Sequence, residues 1–371
     1  IMVPTEILAA QHFETLEQYL QPYGVRIALL TGGMRAKARR ELLLNLELGL
    51  VDVVVGTHAL LEEDVRFANL SLTVTDEQHR FGVEQRARLS NKSANAPDVL
   101  VMTATPIPRT LALTVYGDLD ISVMKGRPPQ RKPVRTLCYT DERRREVYAG
   151  LVRQVQAGRQ AYVVCPLIEE SDVLDVHSAE RVYEELKRDF LQDIPCALLH
   201  GRLKGAEKDA IMSSFAAGEL KVLVSTTVIE VGVNVPNATL MVIENAERFG
   251  LAQLHQLRGR VGRGSEQSYC VLLTAADSPE ALARLNVLHE SEDGFYLAEK
   301  DMEQRGAGQL FGLKQHGLPD LRIADIMRDV DVIAQVRQLA QAQLRTPEDW
   351  AEIRRLVEMQ FGERFNMIFN S

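Results

Sequence analysis

Short runs of consecutive apolar residues alternate along the chain with longer segments in which apolar and charged positions follow a helical period. Among the apolar runs predicted to form strands are residues 70–75, 99–103, 161–165, 240–243 and 269–273. Strands that are apolar at every position are typical of parallel sheets covered by helices on both faces. The pattern therefore predicts the α/β fold class.

An internal repeat supports two such sheets. Residues 29–57 and 198–226 align without a gap at an offset of 169, with seven identities in 29 positions. Each copy is predicted to contain a strand, a glycine turn, a charged amphipathic helix and a second apolar strand that ends in threonine. Chance similarity between two strand–helix–strand units is the alternative. The repeat favours two tandem α/β domains.

Prolines and a glycine interrupt this pattern at residues 126–133, which we interpret as an interdomain linker. After residue 273 the pattern predicts a helix within 277–300, a glycine-dense run at 305–312, and two helices over 320–359 that break near Thr346–Pro347. A plain helical cap is the favoured interpretation of these last two helices. The predicted units are residues 1–126, a linker at 127–135, and then 136–276, 277–319 and 320–371.

Composition excludes several classes of protein. The 371 residues are 46% apolar and 25% charged, as in ordinary globular proteins, and no apolar run is long enough to span a bilayer. The first residues do not resemble a signal peptide, and the four separated cysteines indicate free thiols, with Cys165 and Cys270 predicted to be buried. A cytoplasmic location is expected. The net charge of −8 does not exclude a local basic track for nucleic acid.

An acidic pair follows the predicted strand at 70–75. Asp76 is predicted to hold Mg²⁺, commonly through water, and Glu77 to orient an attacking water. An isolated pair of this kind is more often an acidic surface turn. His79 is a candidate metal ligand or, preferably, a coupling residue. Thr103 and Thr105 suit a relay at the end of the next strand, or an ordinary strand-end turn.

Two arginines later in the chain have the charge and planar shape that suit binding of a polyphosphate. Arg260 and Arg263 lie three residues apart, about one helical turn, so both guanidinium groups are expected to point the same way. Taken alone, the run would also fit a surface basic patch.

A further set of residues is predicted to contact nucleic-acid backbone phosphates, because hydroxyls at strand ends, glycine turns and free amides at helix starts bind anions. The members are Pro4, Thr5, Gly32, Thr57, His58, Gly201, Thr226 and Thr227. None of them reads a base edge, so sequence-independent binding is expected.

These stretches together resemble the ATPase motifs of superfamily 2 helicases. The chain is similar to the C-terminal portion of the RecG family, bacterial ATP-dependent helicases that remodel branched DNA, on the basis of residues 4–9, 76–83, 103–110 and 253–264. The resemblance implies two tandem RecA-like domains, the first incomplete at its N-terminus, followed by a helical hairpin with a translocation loop and C-terminal helices. It further implies ATP and Mg²⁺ as cofactors.

The resemblance also assigns roles and partners. Arg260 and Arg263 would be arginine fingers, with Gln256 as a polar partner, and Gly232 and Asn234 would lie near the ATP. Asn234 departs from the aspartate common at that position, and His316 from a small hydroxyl residue. The residues implied in translocation are Glu303, Arg305, Gln309 and Gln315. The implied partners are branched double-stranded DNA, including replication forks and Holliday junctions, and single-stranded DNA-binding protein.

One motif is absent from the printed sequence. No G-x-x-x-x-G-K-[ST] phosphate loop occurs, although the family places this loop just before the residues that begin the chain. We therefore expect residues 1–371 to be a fragment, also without the wedge domain, that hydrolyses ATP negligibly by itself. The alternatives are a transcription-repair coupling translocase and a non-catalytic DNA-binding module.

Overall fold

The computed structural model describes residues 1–78, 81–82, 85, 88–89, 92, 96–104, 120–124, 126, 131–166, 172–226, 235–275, 279–305, 329–343 and 350–361. The strands in these residues are β1 (Ile27–Leu30), β2 (Val53–Gly56), β3 (Leu72–Thr75), β4 (Asp98–Val101), β5 (Arg135–Thr140), β6 (Gln160–Val164), β7 (Cys196–Leu199), β8 (Val222–Ser225), β9 (Ala238–Ile243) and β10 (Tyr269–Thr274). The α-helices are α1 (Glu6–Leu20), α2 (Ala36–Glu47), α3 (Arg144–Gln156), α4 (Asp172–Asp189), α5 (Gly205–Ala216), α6 (Leu251–Arg258), α7 (Pro279–Glu290), α8 (Gly294–Arg305), α9 (Val330–Gln343) and α10 (Trp350–Phe361).

The first lobe (residues 1–104) is built on parallel strands that the chain's first residues join. β1 pairs with β2, and β3 pairs with β4, both in parallel. Met2 bridges the two pairs, because it forms parallel bridges to Gly56 at the end of β2 and to Thr75 at the end of β3. Its amide donates to the carbonyl of Val74 at 2.8 Å. Residues 1–3 thus occupy the centre of one parallel array, and helix α1 leaves from its carboxyl edge.

The second lobe (residues 135–274) contains a six-stranded parallel sheet in the order β5-β10-β9-β6-β8-β7. Successive residues of its central strand β6 enter different cores: Tyr162 packs on one face with Phe215 and Leu254, and Val163 packs on the other with Leu151. Because both faces are covered, every position of this strand is apolar or buried. This geometry explains the uninterrupted apolar runs in the sequence and confirms the predicted α/β class with parallel sheets.

The segment after β10 forms two helices where the sequence pattern predicted one. α7 and α8 are separated at residues 291–293, where the Asp293 carboxylate accepts a hydrogen bond from the Phe295 amide at 2.9 Å and so starts α8. Leu285 and Leu288 of α7 and Leu297 of α8 are fully buried in the core of the second lobe. The hairpin is therefore part of that lobe's packing.

The two C-terminal helices lie where the sequence predicted them. α9 and α10 flank residues 344–349, which contain the predicted break and lie outside the described residues. Trp350 begins α10 and is 55% exposed. In the described part of the chain, no helix has the length and apolar character that crossing a membrane requires.

Candidate functional site

The acidic pair lies at the carboxyl edge of the first lobe's strands. Asp76 directly follows β3, and its amide donates to the carbonyl of Met2 at 3.0 Å. Its Oδ1 accepts a hydrogen bond from the amide of Glu77 at 2.8 Å. Glu77 has φ 52°, in the left-handed region that non-glycine residues seldom occupy. This bend turns the chain out of the strand direction, so the two successive carboxylates point to different places.

A histidine that the sequence did not reveal holds Asp76. His12 of α1 lies with Nε2 3.2 Å from Asp76 Oδ2. This hydrogen bond is the main reason why the pKa of Asp76 is lowered, and the amide of Glu77 adds to the effect against the cost of burial. His12 and Asp76 are 64 residues apart, and only the pairing of residues 1–3 with β3 brings them together. No local sequence signal could have identified the contact.

The arginine pair lies on the other lobe and faces the acids. Arg260 is buried, and its Nη2 lies 3.9 Å from Oε1 of Glu77, with the two side chains 8% and 13% exposed. Because these side chains belong to different lobes, this ion pair crosses the cleft between them. The sequence placed the acid and the cation on separate domains, and the fold brings them face to face.

Arg263 lies in the same cationic group. Its pKa is lowered to about 10 by burial and then by the charges of Arg260 and Arg131, while Glu77 acts in the opposite direction. The guanidinium remains charged at neutral pH. Like charges that are held together in a partly buried cleft are stabilised by an anion between them, so this wall of the cleft is prepared for a polyanion.

The two arginines do not share a helical turn, contrary to the sequence expectation. α6 ends at Arg258, and Gly259 terminates it. The arginines follow in a turn in which Gly262 has φ +76°, and a Cβ on that glycine would lie 2.6 Å from Cγ2 of Val134. The glycine is thus required by both conformation and space. The turn, rather than a helix face, directs the two arginines to the cleft.

The helix that precedes the arginines is anchored to the α7–α8 hairpin. Arg258 is 3% exposed and donates to the carbonyls of Leu288 at 2.7 Å and Ser291 at 2.9 Å. The buried carboxylate of Asp301, on α8, accepts from the amide of Leu251 at 3.0 Å and so caps the start of α6. Movement of the arginine turn therefore moves the hairpin with it. Neither contact follows from a local sequence pattern, because the partners are 30 and 50 residues apart.

Some of the remaining predicted residues lie beside this site. The amide of Gln78 donates to the carbonyl of Met102 at 3.1 Å, which ties the acidic turn to the exposed Thr103. Gln256 lies half-buried on α6, and Glu303 pairs with Lys300 at 2.6 Å on α8. Arg305 ends α8, and its side chain lies outside the described residues. The other predicted residues outside them are His79, Thr105, Thr227, Gly232, Asn234, Gln309 and Gln315.

The predicted phosphate ligands divide into exposed and buried residues. Gly32, Gly201 and His58 are exposed, and Pro4 and Thr5 are half-buried. The Thr5 hydroxyl accepts from the amide of Leu8 at 3.4 Å and caps α1. Thr57 and Thr226, which occupy equivalent places in the repeat, are each 1% exposed, and their hydroxyls have no hydrogen-bond partner among the described residues. The strand ends that carry these two predicted phosphate ligands are covered in the structure.

The acidic pair suits Mg²⁺ only in combination with phosphate oxygens. Within the described residues, no group of three or more histidine, cysteine or acidic side chains is placed to hold a metal ion. Mg²⁺ commonly keeps several waters and binds through one or two carboxylates together with the phosphates of a substrate. Asp76, with the phosphates of a substrate as further ligands, fits that arrangement better than a site made wholly of protein ligands.

Comparison with known proteins agrees with this geometry. A family model of DEAD/DEAH box helicases matches residues 1–114, the helicase conserved C-terminal domain matches 143–265, and domain 3, C-terminal, of the ATP-dependent DNA helicase RecG matches 291–360. The chain is 50% identical over 352 residues to the ATP-dependent DNA helicase RecG of Bacillus subtilis, covering 95% of this chain and 52% of that protein. The RecG of Thermotoga maritima is 49% identical over 91% of this chain and 43% of its own length.

Solved structures give the same result. The structure of RecG bound to a three-way DNA junction matches with a TM-score of 0.74 and 46% identity, over 90% of this chain and 43% of that one. The Mycobacterium smegmatis helicase Lhr bound to ssDNA and AMP-PNP matches with a TM-score of 0.56 at 17% identity, over 79% of this chain and 42% of that one, which is a likeness of fold.

The two parallel-sheet lobes place the chain in the class of helicases, because the DEAD/DEAH box helicase model matches the first lobe and the helicase conserved C-terminal domain matches the second. Within that class, the chain belongs to the RecG family. It spans about half the length of the curated relatives that it matches.

Proposed function

We propose that this chain is the motor portion of an ATP-driven translocase that unwinds branched double-stranded DNA, such as replication forks and Holliday junctions, in recombination and repair. The observation that carries the proposal is the approach of Arg260 to Glu77 across the two lobes at 3.9 Å, with Arg263 in the same cationic group. An acid on one wall and cations on the other suit the transfer of a phosphoryl group from ATP to water.

The residues on the two walls divide the chemical work. Glu77 orients the attacking water and accepts its proton, while Arg260 and Arg263 stabilise the negative charge that develops on the transferred phosphoryl oxygens. Asp76, held by His12, is the residue that would bind Mg²⁺. When bound, Mg²⁺ would supply positive charge that neutralises the phosphate oxygens.

The contacts of α6 suggest how nucleotide state is passed to DNA. The arginine turn follows α6, and Arg258 and Asp301 fasten that helix to the α7–α8 hairpin. Closure of the lobes around ATP would then shift the hairpin and the segment after it. Four residues are proposed to act on the duplex or to transmit this shift: Glu303, Arg305, Gln309 and Gln315.

Branched DNA is proposed as the partner because the RecG match is a complex with a three-way DNA junction. Single-stranded DNA-binding protein is a proposed second partner, and a cytoplasmic location goes with this function. The relatives described above favour this assignment over a transcription-repair coupling translocase. Residues 1–371 contain no G-x-x-x-x-G-K-[ST] loop, so we further propose that they hydrolyse ATP only at a background rate by themselves.

Binding of DNA by purified residues 1–371 tests the proposal. The affinity for a fluorescent three-way junction is expected to fall at least about tenfold between about 50 and 200 mM salt, because each neutralised phosphate releases counterions. Junctions of the same shape and different sequence are expected to bind within about twofold of one another, since backbone contacts carry no sequence information. Fluorescence anisotropy measures both quantities.

Two results of this measurement would count against the function. If the affinity for DNA does not depend on salt, the chain does not bind DNA mainly through its phosphates. A strong preference for one base sequence would indicate a sequence-specific binding module instead.

A further inference from the structure

The carboxylate of Glu6 is folded back onto the glycine turn that follows β1. The amide of Gly33 donates a hydrogen bond to Oε1 of Glu6 at 3.1 Å. The same oxygen lies 3.4 Å from the place that a Cβ on Gly32 would take, and Oε2 lies 3.5 Å from the corresponding place on Gly33. The carboxylate therefore lies in van der Waals contact with both glycines of the turn.

In this contact, a negatively charged carboxylate accepts a hydrogen bond from a backbone amide in an exposed turn. Gly32 and Gly33 are both exposed, and Glu6 is half-buried. Across the described ranges, no lysine or arginine forms an ion pair with Glu6. Within these ranges the carboxylate is thus held by the turn alone, without a cation to neutralise it.

A second acid lies near Glu6 on the other lobe. The pKa of Asp209 on α5 is raised, first by burial and then by the charge of Glu6. Ile7, the next residue of α1, packs against the core of the second lobe. Glu6 therefore lies where the two lobes meet, in a place where negative charge is already concentrated.

Glu6 is not required to begin its helix. The Thr5 side chain caps α1 through the amide of Leu8. An acidic residue in the first turn adds only a modest favourable interaction with the helix dipole. The contact with Gly33 is consequently the more specific role of this carboxylate.

We propose that the Glu6 carboxylate is a resident substitute for a DNA phosphate on the Gly33 amide, and that an incoming phosphodiester must displace it. The inference rests on the proposed function and on the prediction from the sequence that Gly32 contacts a DNA phosphate. One amide hydrogen cannot serve both anions, and two negative charges about 4 Å apart repel each other even in water. Glu6 would therefore lower DNA affinity at this turn and make that contact easily reversible, as a moving motor requires.

The test compares two glutamate-to-glutamine changes on the same helix of purified residues 1–371. Glu6→Gln removes the charge and keeps the shape and an acceptor oxygen for Gly33. Glu14→Gln makes the same change at an exposed position of α1, and it controls for net charge. Anisotropy of a fluorescent three-way junction is measured at low and high salt, and thermal unfolding confirms that each variant is folded.

Glu6→Gln is expected to bind DNA about five- to tenfold more tightly than wild type at about 50 mM salt. This gain should shrink at higher salt, where screening shortens the range of the repulsion. Glu14→Gln is expected to change affinity less than about twofold.

The outcomes separate the two proposals. If wild type binds DNA in a salt-dependent manner and Glu6→Gln binds no more tightly than Glu14→Gln, the role of Glu6 is refuted and the proposed function stands. If Glu6→Gln binds more weakly than wild type, Glu6 orders the turn for DNA instead of competing with it. If wild type and both variants fail to bind the junction even at low salt, the proposed function fails and the inference falls with it.

Discussion

Replacement of Arg263 by alanine is expected to lower DNA-stimulated ATP hydrolysis about a thousandfold. Burial, and then the charges of Arg260 and Arg131, lower the pKa of the Arg263 guanidinium to about 10, and an anion between these cations would stabilise them. In the proposed mechanism, this anion is the phosphoryl group in the transition state. Because Arg263 acts on developing charge, DNA affinity should change less than about twofold.

The measurement needs the phosphate loop that residues 1–371 do not contain. We define the joined protein as the Bacillus subtilis RecG relative in which residues 1–371 replace the segment that they match. Steady-state hydrolysis is measured with saturating junction DNA. Arg248→Ala, an exposed arginine of the same lobe, is the matched control and is expected to retain full activity. An Arg263→Ala protein that keeps more than about a third of wild-type turnover would exclude the finger role.

Glu77→Gln in the joined protein is expected to reduce hydrolysis by about two to three orders of magnitude while nucleotide affinity stays within about threefold. The amide preserves the size of the side chain but cannot accept the proton of the attacking water. Glu77 is also held near Arg260 by a backbone bend with φ 52°, so the geometry that remains should be close to native.

Glu63→Gln, at an exposed acid of the same lobe, should leave hydrolysis unchanged. Unmodified residues 1–371 supply the background rate, and the Glu77→Gln rate should approach it. Equal loss of turnover in Glu63→Gln would show that the effect is not specific to the cleft. Weak binding of a fluorescent nucleotide by Glu77→Gln would point to a role in binding rather than in the chemical step.

The sequence predicted which charged residues form this site, because residue type and position at the end of a strand are visible in the sequence. An apolar strand that ends in Asp76-Glu77 places acids at a sheet edge whatever the details of packing. The repeat placed a second sheet beside the first, and the family resemblance assigned the opposing arginines. These predictions put an acid and an arginine on opposite sides of a cleft, and in the structure Glu77 and Arg260 approach to 3.9 Å.

The contacts that the sequence could not predict join residues far apart in the chain. His12 reaches Asp76 only because residues 1–3 run between β2 and β3. Arg258 appears in the sequence as one more cation of a basic run, whereas packing buries it against the carbonyls of the hairpin. Thr57 and Thr226 are buried, unlike the exposed members of the group predicted to contact DNA phosphates. Local patterns determine elements and their edges, while these contacts depend on how the elements pack.

The most direct measurement is a crystal structure of the joined protein with ADP and beryllium fluoride, which occupies the place of the γ-phosphate. Guanidinium nitrogens of Arg260 and Arg263 are expected within hydrogen-bond distance of the fluorides, with Glu77 beside the water position. Bound nucleotide with both arginines turned to solvent, or with Glu77 on a surface away from it, would contradict the two-walled cleft on which the account rests.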